Sequence, residues 1–317
     1  MILQRLDALI AKHQTFCITS HVNPDGDNIG SQLAFLWYLE QAGKTVTIYN
    51  KDPVPEKFFF LTNANRMVNT LPEGPFDVLA ILDSSNPDRT GWNPLQYTYK
   101  DIIDIDHHPD NSAFGTFNHI EISAAATGQV LQKLFAEKNI DYPAGVAEAL
   151  YMAIMTDTGG FRFNNTSSDT LIACADLIRR GASASKIAKN IFGQQSPQGL
   201  VLKSRIWSTL QFHLDGTVCT LSMPYSLIDE IGAGYGDSEG MSDQTVIARG
   251  VKVGLLIKYR DNETHFSLRG GTGVDVAKIA KNIPGGGGHP GAAGCTVNRP
   301  YDEALALMFS LIQKELA

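Results

Sequence analysis

Carboxylates and imidazoles recur where short apolar runs end in the first half of the chain. His21-Val22-Asn23-Pro24-Asp25-Gly26-Asp27 follows the β-prone run 15–19, and Asp83-Ser84-Ser85 follows the wholly apolar run 78–82. Asp104-Ile105-Asp106-His107-His108 closes a further run, and Asp157 closes the apolar stretch 146–155. Taken singly, each has a bland reading. Asn-Pro-Asp-Gly is turn chemistry, an Asp can cap the helix that follows, and adjacent histidines can lie in a solvated loop. Taken together they point to a metal site. Carboxylates packed into a low-dielectric cleft repel one another unless cations neutralise them. Several aspartates with one or two imidazoles suit Mn²⁺, with Mg²⁺, Co²⁺ or Fe²⁺ also compatible. His21, Asp25, Asp27, Asp83, His107 and Asp157 are too many ligands for one ion that keeps open positions. Two ions about 3.5–4 Å apart, sharing a bridging carboxylate, fit better and are the usual device for in-line displacement at phosphorus.

A second constellation lies near the C-terminus, in Pro284-Gly285-Gly286-Gly287-Gly288-His289-Pro290-Gly291. It can be a flexible loop, and it formally contains a Gly-x-Gly-x-x-Gly fingerprint. No strand leads directly into it and too little chain follows for a dinucleotide-binding half, so that reading is set aside. Backbone N–H groups of Gly286, Gly287 and Gly288 could close on a phosphate, with His289 as a further donor. Arg269, ending a strand-like run, could add a forked contact. Gly43-Lys44-Thr45 is no phosphate loop, because it follows a helix instead of opening one.

These residues need elements to position them. Strand signals at 15–19, 45–49, 78–82 and 101–105 alternate with helical stretches at 29–41, 124–137 and 146–155, preceded by a helix near residues 3–10. Such alternation implies a parallel sheet with right-handed crossovers, and ligands of such sheets gather beyond the carboxyl ends of the strands. Ser196-Pro197 opens a helix through Trp207 that reads as a connector. Two hairpins follow, at 212–223 around Asp215-Gly216 and at 251–268 around Asp261-Asn262. The expectation is an α/β chain of three parts: a parallel-sheet catalytic domain with flanking helices (1–190), a helical linker (191–209), and a smaller α+β substrate-binding domain (210–317).

Composition sets the outer bounds. The 317 residues are 43% hydrophobic and 19% charged, which excludes a disordered or fibrous chain. With 26 basic against 33 acidic residues the net charge is −7, so no bulk positive field exists for long duplex DNA or an anionic membrane. Residues 210–317 hold 9 Lys and Arg against 12 Asp and Glu, which offers no basic path for a long strand. The four cysteines form no CxxC pair, no apolar run approaches a membrane span, and the first ten residues do not read as a signal peptide. A cytoplasmic location follows as the expectation.

The motif His21-x-x-Pro24-Asp25-x-Asp27-x-x-Gly30-Ser31, with Asp83, Asp106-His107-His108 and Asp157, resembles the signature of the DHH phosphoesterase superfamily. Gly286-Gly287-Gly288-His289 with Ala292-Ala293-Gly294 resembles its associated C-terminal domain. The stretch 156–163 is most similar to the NrnA-type bifunctional oligoribonucleases and pAp phosphatases, which clear short RNA fragments and 3′-phosphoadenosine 5′-phosphate (pAp). The resemblance implies one Mn²⁺ on His21, Asp25, Asp83 and Asp157, and a second on Asp27, Asp83, His107 and Asp157. It further implies that Asp106 orients an imidazole, that His108 lies beside the scissile phosphate, and that Arg269, His289 and the glycine backbone hold a substrate phosphate. Arg162 matches the family stretch, as a substrate contact or as a buttress of its own loop. One departure stands out: the family's usual Ser after the strand-end Arg is Gly270 here.

What the resemblance implies is direct hydrolysis without a covalent intermediate, on short RNA oligonucleotides and pAp; the sequence does not reveal the oligomeric state, and a homodimer is compatible with it. Three alternatives share the same residues: a phosphodiesterase for linear pApA, an exopolyphosphatase, and a nucleotide-binding sensor without catalysis.

Overall fold

The computed structural model describes residues 2–193 and 195–316, and the chain forms two compact units, Met1–Gln194 and Gln195–Ala317. The first unit runs α1 (Ile2–Lys12), β1 (Thr15–Thr19), α2 (Gly26–Gln41), β2 (Thr45–Tyr49), β3 (Met67–Val68), β4 (Val78–Leu82), β5 (Asp101–Asp106) and β6 (Phe117–Ile120). It continues through α3 (Thr127–Glu137), α4 (Ala144–Asp157), α5 (Ser168–Arg179) and α6 (Ala184–Phe192). All strand pairs are parallel, in the order β3-β2-β1-β4-β5-β6. The order reverses between β1 and β4, which makes the crevice beyond their carboxyl ends the natural ligand site.

Alternation of side chains gives the sheet two different faces. Phe16, Ile18, Ile48, Val78, Ala80, Leu82, Ile103 and Ile105 pack in one core with residues of α1 to α6. On the other face Cys17, Tyr49, Leu79 and Ile81 meet Phe76, Trp92, Tyr99, Ile102 and Phe114, and none of these covering residues comes from an α-helix. Right-handed crossovers send the β1–β2 and β4–β5 connections to opposite faces. The first connection is α2. The second, residues 83–100, contains Pro87, Gly91 and Pro94 and stays irregular apart from two short 3₁₀ turns.

The strands lie where the apolar runs place them, whereas several helix ends differ. α2 begins at Gly26, because Asp25 accepts the Asn28 backbone N–H at 3.0 Å as an N-cap. α3 begins at Thr127 instead of 124, since Ala126 is extended and the Ala125 N–H is held by the Gln129 side chain. β6, α5 and α6 have no counterpart in the sequence reading. The Ser167/Thr170 capping box and the Ser183 cap were the available signals for the two helices.

The second unit contains α7 (Pro197–Trp207), β7 (Gln211–His213), β8 (Val218–Pro224), α8 (Ser226–Ile231), α9 (Met241–Gln244), β9 (Val253–Arg260) and β10 (Glu263–Gly270). Then follow α10 (Val276–Ala280), β11 (Gly287–His289), β12 (Ala292–Val297) and α11 (Tyr301–Leu316). Its sheet has the order β11-β12-β10-β9-β8-β7, antiparallel except for the β8–β9 pair. Residues of α10 and α11 share a core with one face of this sheet. Leu202 and Ile206 of α7 join residues of α8 and α9 against Leu221, Met223 and Leu256. Among the described residues no helix is long and apolar enough to cross a membrane.

Candidate metal centre

Three strand ends and two helix ends deliver the acidic and imidazole side chains to one place. His21 and Asp25 leave β1, with Asp25 capping α2 and Asp27 in its first turn. Asp83 follows β4 in left-handed backbone (φ 55°), a conformation that costs an aspartate energy and is held by its N–H to Ile105 O at 3.1 Å. Asp106, His107 and His108 end β5, and Asp157 is the last residue of α4. Gly30 and Gly128 let α2, α3 and α4 approach closely: a Cβ at Gly30 would lie 2.3 Å from Ala149 O, and one at Gly128 2.5 Å from the Ala153 Cβ.

Apart from a long His21–Asp83 contact, the resulting distances exceed those of hydrogen bonds and suit donors that converge on a shared cation. His21 Nε2 is 3.4 Å from Asp83 Oδ2 and 3.9 Å from Asp25 Oδ2. His107 Nε2 is 3.8 Å from Asp27, 3.7 Å from Asp83 and 3.6 Å from Asp157. The groups His21/Asp25/Asp83, Asp27/His107/Asp157 and Asp83/Asp106/His107/His108 each offer ligand atoms within 4.8 Å of one another. Both imidazoles are preset for coordination: Nδ1 of His21 donates to Val22 O (2.7 Å) and Nδ1 of His107 to Ala124 O (3.3 Å), which turns each Nε2 toward the carboxylates.

Electrostatics identify what the cluster lacks. Burial, then the charges of Asp83 and Asp157, push the Asp27 carboxyl well above its usual range. Burial with the charges of Asp83 and Asp25 lifts Asp157 to about 8. Burial would also raise Asp83, but His21, His107 and His108 outweigh it and hold this carboxyl low. Burial opposes charge on His21, yet Asp83 lifts it to about 9. Crowded, buried carboxylates of this kind favour nearby positive charge. Asp25, Asp27, Asp83 and Asp157 ionised would balance two divalent cations, so the donor set fits the metals its chemistry implies.

Asp27 is fixed before any cation arrives. Its carboxylate accepts the N–H groups of Thr127 (2.7 Å) and Gly128 (2.8 Å) at the start of α3, and the Ser31 hydroxyl at 2.9 Å. Asp106, wholly buried, accepts His108 Nδ1 at 2.7 Å and the His107 N–H at 2.8 Å. Asn111, which sequence reasoning missed, donates to Asp106 Oδ2 (2.7 Å), to Asp104 Oδ1 (3.1 Å) and to Ser84 O (3.4 Å). Its position three residues after His108 was the only signal available.

The second unit brings its own candidates into register. Arg269 pairs with Ala292, and Ala292 with His289, so Arg269 and His289 stand on one face of the sheet, two strand spacings or roughly 9–10 Å apart. Ser267, Gly294 and Gly287 form the next row but one on the same face. The end of the glycine run, Gly287 and Gly288 with His289, is thus strand β11, entered through a turn at Gly285. A Cβ at Gly286 would strike Ala280 O (2.2 Å) and one at Gly288 would strike Ala292 O (2.5 Å), whereas Gly287 faces open space. Gly270 is required by its surroundings, since a Cβ there would meet Val274 O at 2.7 Å and Pro290 O at 2.9 Å. Arg269 Nε donates to Asp243 Oδ1 at 2.5 Å, a partner the sequence did not reveal. Arg162 is exposed and turns its Nε back onto Gly159 O at 2.6 Å.

Comparison with known proteins settles the family. Residues 15–154 match the DHH family, N-terminal domain, and residues 217–317 match the DHHA1 domain. Over 303 residues the chain is 31% identical to the bifunctional oligoribonuclease and PAP phosphatase NrnA of Thermus thermophilus, covering 94% of this chain and 89% of that one. The chain belongs to the NrnA family of DHH phosphoesterases. A second NrnA-family relative, that of Bacillus subtilis, is 23% identical over 305 residues, 95% of each chain. The same fold as this NrnA-family chain is seen in an exopolyphosphatase-related protein from Bacteroides fragilis (TM-score 0.91, 21% identity, 98% of this chain and 95% of that one).

Proposed function

We propose that the protein is a Mn²⁺-dependent phosphohydrolase that cleaves very short oligoribonucleotides and removes the 3′-phosphate of pAp. The convergence of three carboxylate–imidazole groups on Asp83 and His107, beyond the carboxyl ends of β1, β4 and β5, carries this reading. The relative from Thermus thermophilus, named for both activities, supports it across nearly the whole chain. His21, Asp25, Asp83 and Asp157 would hold one ion, and Asp27, Asp83, His107 and Asp157 the other. When bound, such ions polarise phosphoryl oxygens and bring the pKa of water toward neutrality.

The chain's own residues supply the rest. Asp106 fixes His108 through Nδ1. Burial opposes charge on that imidazole, but Asp106 and Asp83 raise its pKa above the ordinary value. This favours the cationic form of the His108 ring, which is suited to stabilising charge on a phosphoryl oxygen beside the aspartates. Arg269 and His289, in one row of the sheet with Gly287 two rows away on the same face, anchor a terminal phosphate and select short substrates by measuring from a chain end. Asp243 holds Arg269 in position for that phosphate. A cytoplasmic setting suits such substrates.

The test is a substrate panel of pAp, di- to pentaribonucleotides, pApA and polyphosphate, run with Mn²⁺ and with chelator, on the wild type and Asp83→Asn. Mn²⁺-dependent phosphate release from pAp and mononucleotides from short RNA are expected, both lost in the variant. Turnover of polyphosphate or pApA alone would replace the reading with one of those activities. Binding of pAp without hydrolysis would make the protein a sensor.

A further inference from the structure

The sheet face that carries no α-helix contains a pocket of about 420 Å³. It opens to solvent past Leu71 and Tyr97, and its volume falls in the ~300–1,000 Å³ range of small-molecule sites. Its floor is Cys17, in the middle of β1, and its walls are Phe76, Trp92, Tyr97 and Tyr99 with Pro75. Phe76 and Tyr99 precede β4 and β5 while Trp92 reaches Thr19 at the end of β1, so the pocket runs along the sheet face opposite the helices.

The connection that walls this pocket occupies the place of a crossover helix. A long irregular segment inside a compact domain is usually retained for function. Here it is rigidly built. Trp92 stands edge-on to Tyr49 with ring centres 5.1 Å apart and donates its N–H to Thr19 Oγ1 at 3.4 Å. Tyr97 lies 5.9 Å from Trp92 at 49°, a direct tilted contact that sets two aromatic rings side by side in the pocket wall. No lining residue carries a charged side chain, and burial pushes the Cys17 thiol up to about 12, which keeps the floor neutral. An anionic substrate of the catalytic site has nothing here to balance its charge. Stacking walls with a few neutral polar groups favour a flat ring system.

We propose that this pocket is a second ligand site, which binds an uncharged planar heteroaromatic molecule the size of a nucleobase or nucleoside. It is separate from the phosphoester site and does not depend on metal.

The experiment titrates the full-length protein with adenosine and with caffeine, both uncharged planar heteroaromatics, following heat and the emission of Trp92 in the Trp37→Phe/Trp207→Phe background. Saturable binding of at least one probe with a Kd below about 1 mM is expected, unchanged by chelator or by excess pAp. Tyr97→Ala and Leu71→Arg alter residues 45% and 41% exposed at the pocket mouth, so both variants should fold. Each should weaken binding at least tenfold while Mn²⁺-dependent hydrolysis stays at the wild-type rate. Absence of saturable binding by both probes, displacement by pAp, or full retention of binding in both variants would each overturn the assignment.

Discussion

Asn111 illustrates how much of a reactive site lies outside its motif. The aspartate and histidines at 106–108 are adjacent in sequence, but His108 is aimed by Asp106, and Asp106 is in turn held by Asn111. Asn111 also touches Asp104, whose carboxyl is raised to about 7 by burial and by Asp106. Its other oxygen has no hydrogen-bond partner among the described residues. Removing such a supporting contact typically costs ten- to a hundredfold in activity or metal affinity. Asn111→Ala should therefore lower kcat on pAp by about that factor with little change in KM, because the lost contact orients His108 and holds no substrate. An equal rise in KM with kcat intact would move Asn111 out of this chain of contacts.

At the scale of elements, the candidate metal centre depends on how tightly three helices are drawn together. Asp27 rides on α2, its two backbone donors on α3 and Asp157 on α4, and a single added methyl at Gly30 would enter the Ala149 carbonyl. Helix backbones cannot swing aside as a side chain can, so Gly30→Ala forces α2 and α4 apart. Overpacking of this kind costs about 1–3 kcal/mol. Thermal unfolding should fall by several degrees and Mn²⁺ affinity should drop with it. An alanine variant with wild-type Tm and metal affinity would show that the helices have slack the geometry does not reveal.

Across the whole molecule, the concentrated negative charge of the first unit couples stability to pH and metal. Asp157, ordinarily ionised above about 4, is lifted to about 8 in the folded chain. Between those values the folded, metal-free protein keeps a proton that the unfolded chain has lost, so its stability falls as pH rises through the window. His21, raised to about 9, acts in the same direction as its proton is lost. A metal held by these groups would replace the protons, so the gain on adding it should grow with pH. The Tm increment from chelator to Mn²⁺ should be clearly larger at pH 8 than at pH 6. Equal increments would mean that the cluster does not bind metal by displacing protons.

What the sequence determined on its own was the chemistry carried by short segments. A strand and the turn that follows it are local, so Asp25, Asp83 and His107 could be placed at strand ends, and parallel topology predicted one shared rim. Only the tertiary structure decided which groups complete that rim. The N–H groups of Thr127 and Gly128 lie 100 residues from Asp27, and α3 had to start later than its apolar pattern indicated to supply them. Asp243 reaches Arg269 from α9, and Gly270 is dictated by two carbonyls that only folding brings near. The sheet face without α-helices was equally invisible, because it arises where a crossover runs without a helix. Periodicity reports which face of an element is apolar; what meets that face is set by long-range packing, which no local pattern encodes.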